Sequence, residues 1–218
     1  MPAAANVRAP RAARADKSAA ILAAATTVFL AHGFEAATTD MIQRAAGVSK
    51  ATLYAIYPTK QALFAAVVAA RCAAITERFR AWQPAPGELA AQLRSLGDAY
   101  LGLLLSDEGL ALHRVLLAEA PRHPALGHLF HAAGPVVVRQ VIAGHLARAA
   151  EQGRLRLQTV GAERAASLFM SMVAGELQLE ALTHPDSRPS QARRDECIEL
   201  ALQAFLTAFG PPGGPAPA

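Results

Sequence analysis

The sequence predicts an all-α protein in two parts, a small N-terminal three-helix unit and a larger helical body. Three observations carry this. Apolar residues recur at three- and four-residue steps along most of the chain. β-Branched residues never alternate over a useful length, and Val136-Val137-Val138 is too short and sits in a helical pattern. Glycine and proline cut the pattern into segments of helical length. With 53% hydrophobic but only 6% aromatic residues, the core must be built from alanine, leucine and valine, which suits closely packed helices. A length of 218 residues leaves room for a small head on a larger body.

Residues 1–15 are rich in alanine, arginine and proline without apolar periodicity, so a flexible basic arm is expected there. Asp16 to Ala31 reads as the first helix, with Ile21, Leu22, Ala25, Val28 and Phe29 on one stripe and Gly33 where a left-handed cap belongs. Thr38 is a good N-cap for a second helix, which Gly47 ends. Ser49 caps a short third helix to about Ala55, and Pro58-Thr59 opens a fourth that runs to about Trp82. Gln83-Pro84-Ala85-Pro86-Gly87 cannot stay helical. Further helices are expected over 88–105, 107–120, 125–133, 135–152, 162–183 and 190–209, and a disordered tail over 210–218. The domain reading is therefore a head at 16–65 and a body at 66–209.

Charge separates the two parts. Residues 1–60 hold seven basic side chains against three acidic ones, whereas the remainder holds 14 of each. A basic head on a neutral body fits a module that binds a polyanion joined to something else. Within the head, two short helices meet at Gly47-Val48-Ser49, a turn of the helix-turn-helix kind. Gly47 allows the reversal, Ser49 satisfies free amides of the next helix, and Ile42, Ala45, Val48 and Leu53 form the expected buried side. Lys50, Ala51, Thr52, Tyr54 and Ala55 are left on the outer side to face DNA. Ala51 and Thr52 suit base reading, with less weight on Gln43 and Ala55; Lys50, Tyr54 and Lys60 suit phosphates.

Gly33-Phe34, Thr38, Ile42, Ala46 to Lys50, Thr52-Leu53-Tyr54, Tyr57 and Lys60 together resemble the TetR-family signature, without gaps, over about Lys17–Val68. Ala51, Ala55 and Tyr57 depart from the glycine, histidine or tyrosine, and phenylalanine common in that family. The resemblance implies a homodimer that places paired recognition helices on a double-stranded DNA operator, with a helical body that binds a small-molecule effector. Thr38, Gln43, Ser49, Lys50, Ala51, Thr52, Tyr54, Tyr57 and Lys60 are the DNA-binding candidates. Leu112-His113-Arg114, Ala118 to Arg122, Pro124, Leu126-Gly127, Phe130 and Ala133-Gly134-Pro135 resemble the AefR-like subgroup, which implies a repressor answering to small apolar or aromatic compounds.

In the body, Leu104, His113, Leu116, Phe130, Val137, Phe169 and Met172 are candidates for lining an effector cavity, and Met170, Met172, Ala174 and Gly175 suggest an adaptable wall. The same apolar residues could fill the core, and helical spacing does not separate the two uses. Leu168, Gly175 and Leu179, with Ile198, Leu202 and Phe205, lie on apolar faces of the last two helices and are the candidates for a dimer interface.

Other classes find little support. Cys72 and Cys197 lack ligand-like spacing, and His113, His123, His128 and His131 have no evident acid or thiol beside them, so neither a metal nor a cofactor is expected. No phosphate-cradling loop or paired carboxylate suggests an enzyme. No apolar run approaches the ~20 residues of a membrane span, so a cytoplasmic protein without membrane contact is expected. The rival reading is a DNA-binding regulator without a small-molecule effector, which a body filled by its own side chains would favour.

Overall fold

A computed structural model describes residues 8–84, 87–186 and 188–211, with side chains from Arg14 onward. Among the described residues there are ten helices and no strand: α1 Arg8–Ala36, α2 Thr39–Ala46, α3 Lys50–Ile56, α4 Lys60–Arg80, α5 Leu89–Leu104, α6 Asp107–Glu119, α7 Pro124–Ala133, α8 Pro135–Glu151, α9 Gly161–Thr183 and α10 Gln191–Phe209. The punctuation read from the sequence holds at nearly every break. The first helix begins earlier, at Arg8, so the second half of the expected basic arm is helical, while residues 1–7 lie outside the described residues. Alanine and arginine favour helix, which explains the extension. Gly33 does take a positive φ of 74°, but as a break inside α1 before one further turn, not as a terminal cap.

The chain divides into two compact units, Met1–Arg71 with Val115–Leu129, and Cys72–Arg114 with Phe130–Ala218. The first unit thus recruits a segment that the sequence reading gave wholly to the body, because Leu116 and Leu126 are apolar side chains buried there. Its centre is an aromatic cluster. Phe29 and Phe64 meet edge to face at 4.9 Å, and Phe34 lies 5.9 Å and 5.1 Å from them. Arg14–Ala36 is long and apolar enough by composition to cross a membrane, contrary to the sequence reading. Its apolar stripe is instead used inside the unit, where Ile21, Ala25 and Phe29 are fully buried.

The second unit is a layered helical body. Its core joins α5, α8, α9 and α10 through Leu96, Leu101, Ile142, Leu146, Phe169, Val173, Ile198 and Phe205. Arg156 ties the chain end to this body, its N–H donating to the Phe209 carbonyl and its guanidinium to that of Gly210, both at 2.7 Å. The tail is therefore held at Gly210, which was expected to be disordered; residues 212–218 lie outside the described residues.

Candidate DNA interface and effector cavity

The turn between α2 and α3 is built as its residue types dictate. The Thr38 hydroxyl accepts from the Met41 N–H at 3.1 Å and so caps α2. Gly47 closes that helix in the left-handed conformation, with φ 65° and ψ 31°, its N–H donating to Arg44. Ser49 then caps α3 by accepting from the Thr52 N–H at 3.1 Å. Ile42 and Leu53 are buried on the inner side. Val48 is only half-buried and Ala45 is exposed, so two of the four residues expected to seal this side do not; α2 is too short to bury more than one face turn.

On the outer side, Lys50, Ala51, Tyr54 and Ala55 are exposed together, as the α3 register requires. Lys50 pairs with Asp40 at 3.1 Å, with both side chains at least half exposed, so a phosphate can compete for the ammonium. The Thr52 hydroxyl shares a hydrogen bond with Ser49, and the Tyr54 hydroxyl shares one with Thr39. Gln43 keeps its Nε2 near Asp40 at 3.4 Å and its buried Oε1 without a partner. Two other candidates have partners on the first helix. The Tyr57 hydroxyl is bonded to Ser18 on α1 at 3.0 Å, which holds the end of α3 to the first helix. The Lys60 ammonium donates to the Glu35 carbonyl at 3.0 Å and lies 4.5 Å over the Phe34 ring, an arrangement that braces α4 against α1.

In the second unit a chamber of about 210 Å³ is lined mainly by apolar groups, among them Cys72, Leu103, Leu104, Leu112, Phe130 and Val138, together with His113, Tyr100 and Gln178. A more polar space of about 410 Å³ shares Tyr100, Pro135, Met170 and Gln178 with it and adds His131, Arg139, Ser167 and Ser171. The two form a chamber and its mouth. Arg139 is held at the mouth by Glu163 at 2.9 Å. Near it α9 breaks at Gly175, whose φ of 37° and ψ of −133° are open to glycine alone. The His113 ring meets Phe130 edge to face at 5.1 Å. Burial pushes the pKa of His113 below its usual value, with a bond to Gly109 opposing, and pushes the Tyr100 phenol up to about 12 and the Cys72 thiol up to about 11.

Of the seven cavity candidates, Leu104, His113 and Phe130 line the chamber. Leu116 falls in the first unit, and Phe169 is fully buried in the core against Phe205 at 5.3 Å. Val137 gives way to its neighbour Val138, and Met172 is exposed while Met170 lines the wall. The misses at Val137 and Phe169 are matters of helical phase, since one residue turns a side chain by about 100°, whereas Leu116 belongs to the other unit. Tyr100 and Gln178 were overlooked, although a hydroxyl and an amide inside the apolar runs of α5 and α9 were a readable signal. Among the dimer candidates, Leu168, Gly175 and Leu179 of α9 are exposed, on the two sides of its break and at the break itself. Ile198, Leu202 and Phe205 are instead buried in the core, so the α10 face read from periodicity is the internal one; Leu200 is its exposed apolar residue.

Residues 21–67 match the family model for bacterial regulatory proteins of the tetR family, and residues 91–211 match that for the AefR-like transcriptional repressor C-terminal domain. No curated protein matches. Among solved structures, the Flavonoid-responsive Regulator FrrA is 33% identical with a TM-score of 0.75, over 90% of this chain and 98% of its own. A putative TetR-family transcriptional regulator from Mesorhizobium loti is 25% identical with a TM-score of 0.79, over 90% of this chain and 98% of its own. A TetR transcriptional regulator from Agrobacterium tumefaciens is 26% identical with a TM-score of 0.67, over 90% and 95%.

Proposed function

The chain belongs to the TetR family of bacterial transcriptional regulators, with an AefR-like C-terminal domain, and we propose that it is a cytoplasmic, dimeric repressor released from its operator by a small hydroxylated aromatic ligand. The family is one of regulators, not of enzymes. The observation that carries the proposal is the chamber and its mouth. The chamber alone is smaller than the ~300 Å³ at which drug-sized sites begin, and with the mouth the space falls in that class. Its walls are apolar, with polar groups at His113, Tyr100 and Gln178, which suits an aromatic body carrying hydroxyls. FrrA is named as flavonoid-responsive, and a flavonoid has this chemistry. A body packed solid by its own side chains would have favoured regulation without an effector; the chamber speaks against that.

The DNA-facing half of the proposal rests on the exposed surface of α3. Ala51 and Thr52 read bases, Lys50 and Tyr54 hold phosphates, and Tyr57 and Lys60 position the helix. Two such helices are needed for a tight site, because one head reads only a half-site. The exposed residues Leu168, Met172, Gly175 and Leu179 on α9, with Leu200 on α10, supply the apolar area for a helical dimer bundle. Ligand in the chamber favours a conformer whose heads no longer match the half-site spacing of ~34 Å or a multiple of it. Calorimetric titration of the full chain with a flavonoid series tests the ligand class. Saturable binding that His113→Phe weakens supports it, and absence of binding across the series rejects it.

A further inference from the structure

We propose that Glu35, Glu119 and His123 form a binding site for a first-row divalent transition-metal ion of the zinc class. The three side chains come from the last turn of α1, the last residue of α6 and the turn that follows it, and one ligand atom of each lies within 4.8 Å of the others. All three belong to the first compact unit and share no residue with the effector chamber. Glu119 and His123 are four residues apart, and the His123 N–H donates to the Glu119 carbonyl at 2.8 Å, so the helical turn continues and puts both side chains on one face. The sequence reading had found no acid beside the histidines; this one stands a single turn away.

The second observation is the state of Glu119 itself. The residue is only 4% exposed, and its buried Oε2 has no hydrogen-bond partner. A buried carboxylate oxygen without a donor is unfavourable, and a second carboxylate close by makes it more so. The lysine of this region does not relieve it, because the Lys60 ammonium is taken up by the Glu35 carbonyl and the Phe34 ring. A divalent cation resolves both problems at once, since it satisfies Oε2 and cancels the repulsion between the carboxylates. The ring of His123 is steadied edge to face against Phe34 at 5.4 Å. An imidazole in the set selects zinc or a neighbouring transition metal over magnesium and calcium, which prefer oxygen alone. Ligand atoms around a tetrahedral ion lie about 3.4 Å apart, so the site closes by at most about 1.4 Å from separations within 4.8 Å, and exposed Glu35 is free to make that move. Water completes the coordination.

The test is titration of the full chain with Zn²⁺ against a chromophoric chelator, and with Co²⁺ followed by its visible absorption. The expected result is one ion per chain, with affinity reduced at least ~10-fold by His123→Phe and by Glu119→Gln, and several-fold by Glu35→Gln. His128→Ala, outside the site, should leave it unchanged. Glu35 is exposed and His123→Phe keeps an aromatic ring, so these two variants decide the matter even if Glu119→Gln fails to fold. Absence of one-to-one binding, or binding that His123→Phe and Glu35→Gln do not weaken, overturns the proposal.

Discussion

His113 donates its Nδ1 hydrogen to the carbonyl oxygen of Gly109, 2.9 Å away and one helical turn back. A carbonyl only accepts, so the ring carries its proton on Nδ1 and offers Nε2 as an acceptor. Burial favours this neutral form. A hydroxyl on the effector then has a fixed partner. His113→Phe keeps the apolar wall and removes the acceptor, so it should weaken a hydroxylated aromatic ligand by about 1 kcal/mol, roughly fivefold. The unhydroxylated analogue should change less than half as much. Calorimetry on the matched pair of ligands checks this.

The same residue gives a pH dependence of stability. His113 and His145 both have pKa values below the ordinary 6.5, each chiefly through burial, with Arg148 adding to the effect at His145. The unfolded chain therefore takes up protons first as the pH falls. Their contribution is complete above pH 6.5 and is lost as the pH drops from there through the folded values. Urea midpoints should be lower at pH 5.5 than at pH 7.5, and His113→Phe should reduce the difference. An unchanged difference would remove His113 from the explanation.

Gly47 makes a prediction about the head. A Cβ there meets nothing within 4 Å, so any cost of substitution comes from the positive φ and not from crowding. Gly47→Ala should destabilise by about 1–2 kcal/mol, and Gly47→Asn by less, because asparagine tolerates the left-handed region. For a chain of this size each kcal/mol lowers Tm by roughly 2–4 °C, which calorimetric melting resolves.

Gly47 also marks what the sequence made legible. Gly47, Thr38 and Ser49 were readable because caps and turns are local: the residue type and its neighbours determine the geometry. The body was less so. Val137 and Val138, or Phe169 and Met170, differ by one step on a helix, and an apolar residue looks the same whether it meets the core, a cavity or a second chain. Ile198, Leu202 and Phe205 were taken for an interface because periodicity reveals a face but not its partner. The partner of Lys60 was hidden for a different reason: its bond to Glu35 spans 25 residues, and no local pattern announces it.

On DNA, Lys50 and Thr52 should separate. Lys50→Ala removes the proposed phosphate contact, so it should weaken specific and random sequences alike and reduce the salt slope by about one. Thr52→Ala should shift preference among operators by about 1–3 kcal/mol at one base position. Binding curves at several salt concentrations on specific and random duplexes distinguish them. Equal losses on both duplexes for Thr52→Ala would reject its base-reading role.

Leu179 is 64% exposed on the α9 face assigned to the dimer. Leu179→Arg adds a charge to the proposed dimer face, so sedimentation should show a shift from dimer toward monomer while the helical signal is kept. Leu200→Arg, at the exposed leucine of α10, should act in the same direction. A dimer of unaltered strength in both variants would place the interface elsewhere.

The central claim is that one ligand site governs DNA affinity. The most direct measurement is a mobility-shift titration of an operator selected from random DNA, with and without a saturating polyhydroxylated aromatic that calorimetry has shown to bind the chain. The account predicts at least a tenfold loss of operator affinity with ligand present, and a return toward the ligand-free affinity in His113→Phe at the same ligand concentration. Operator affinity unchanged at full occupancy of the ligand site would contradict it.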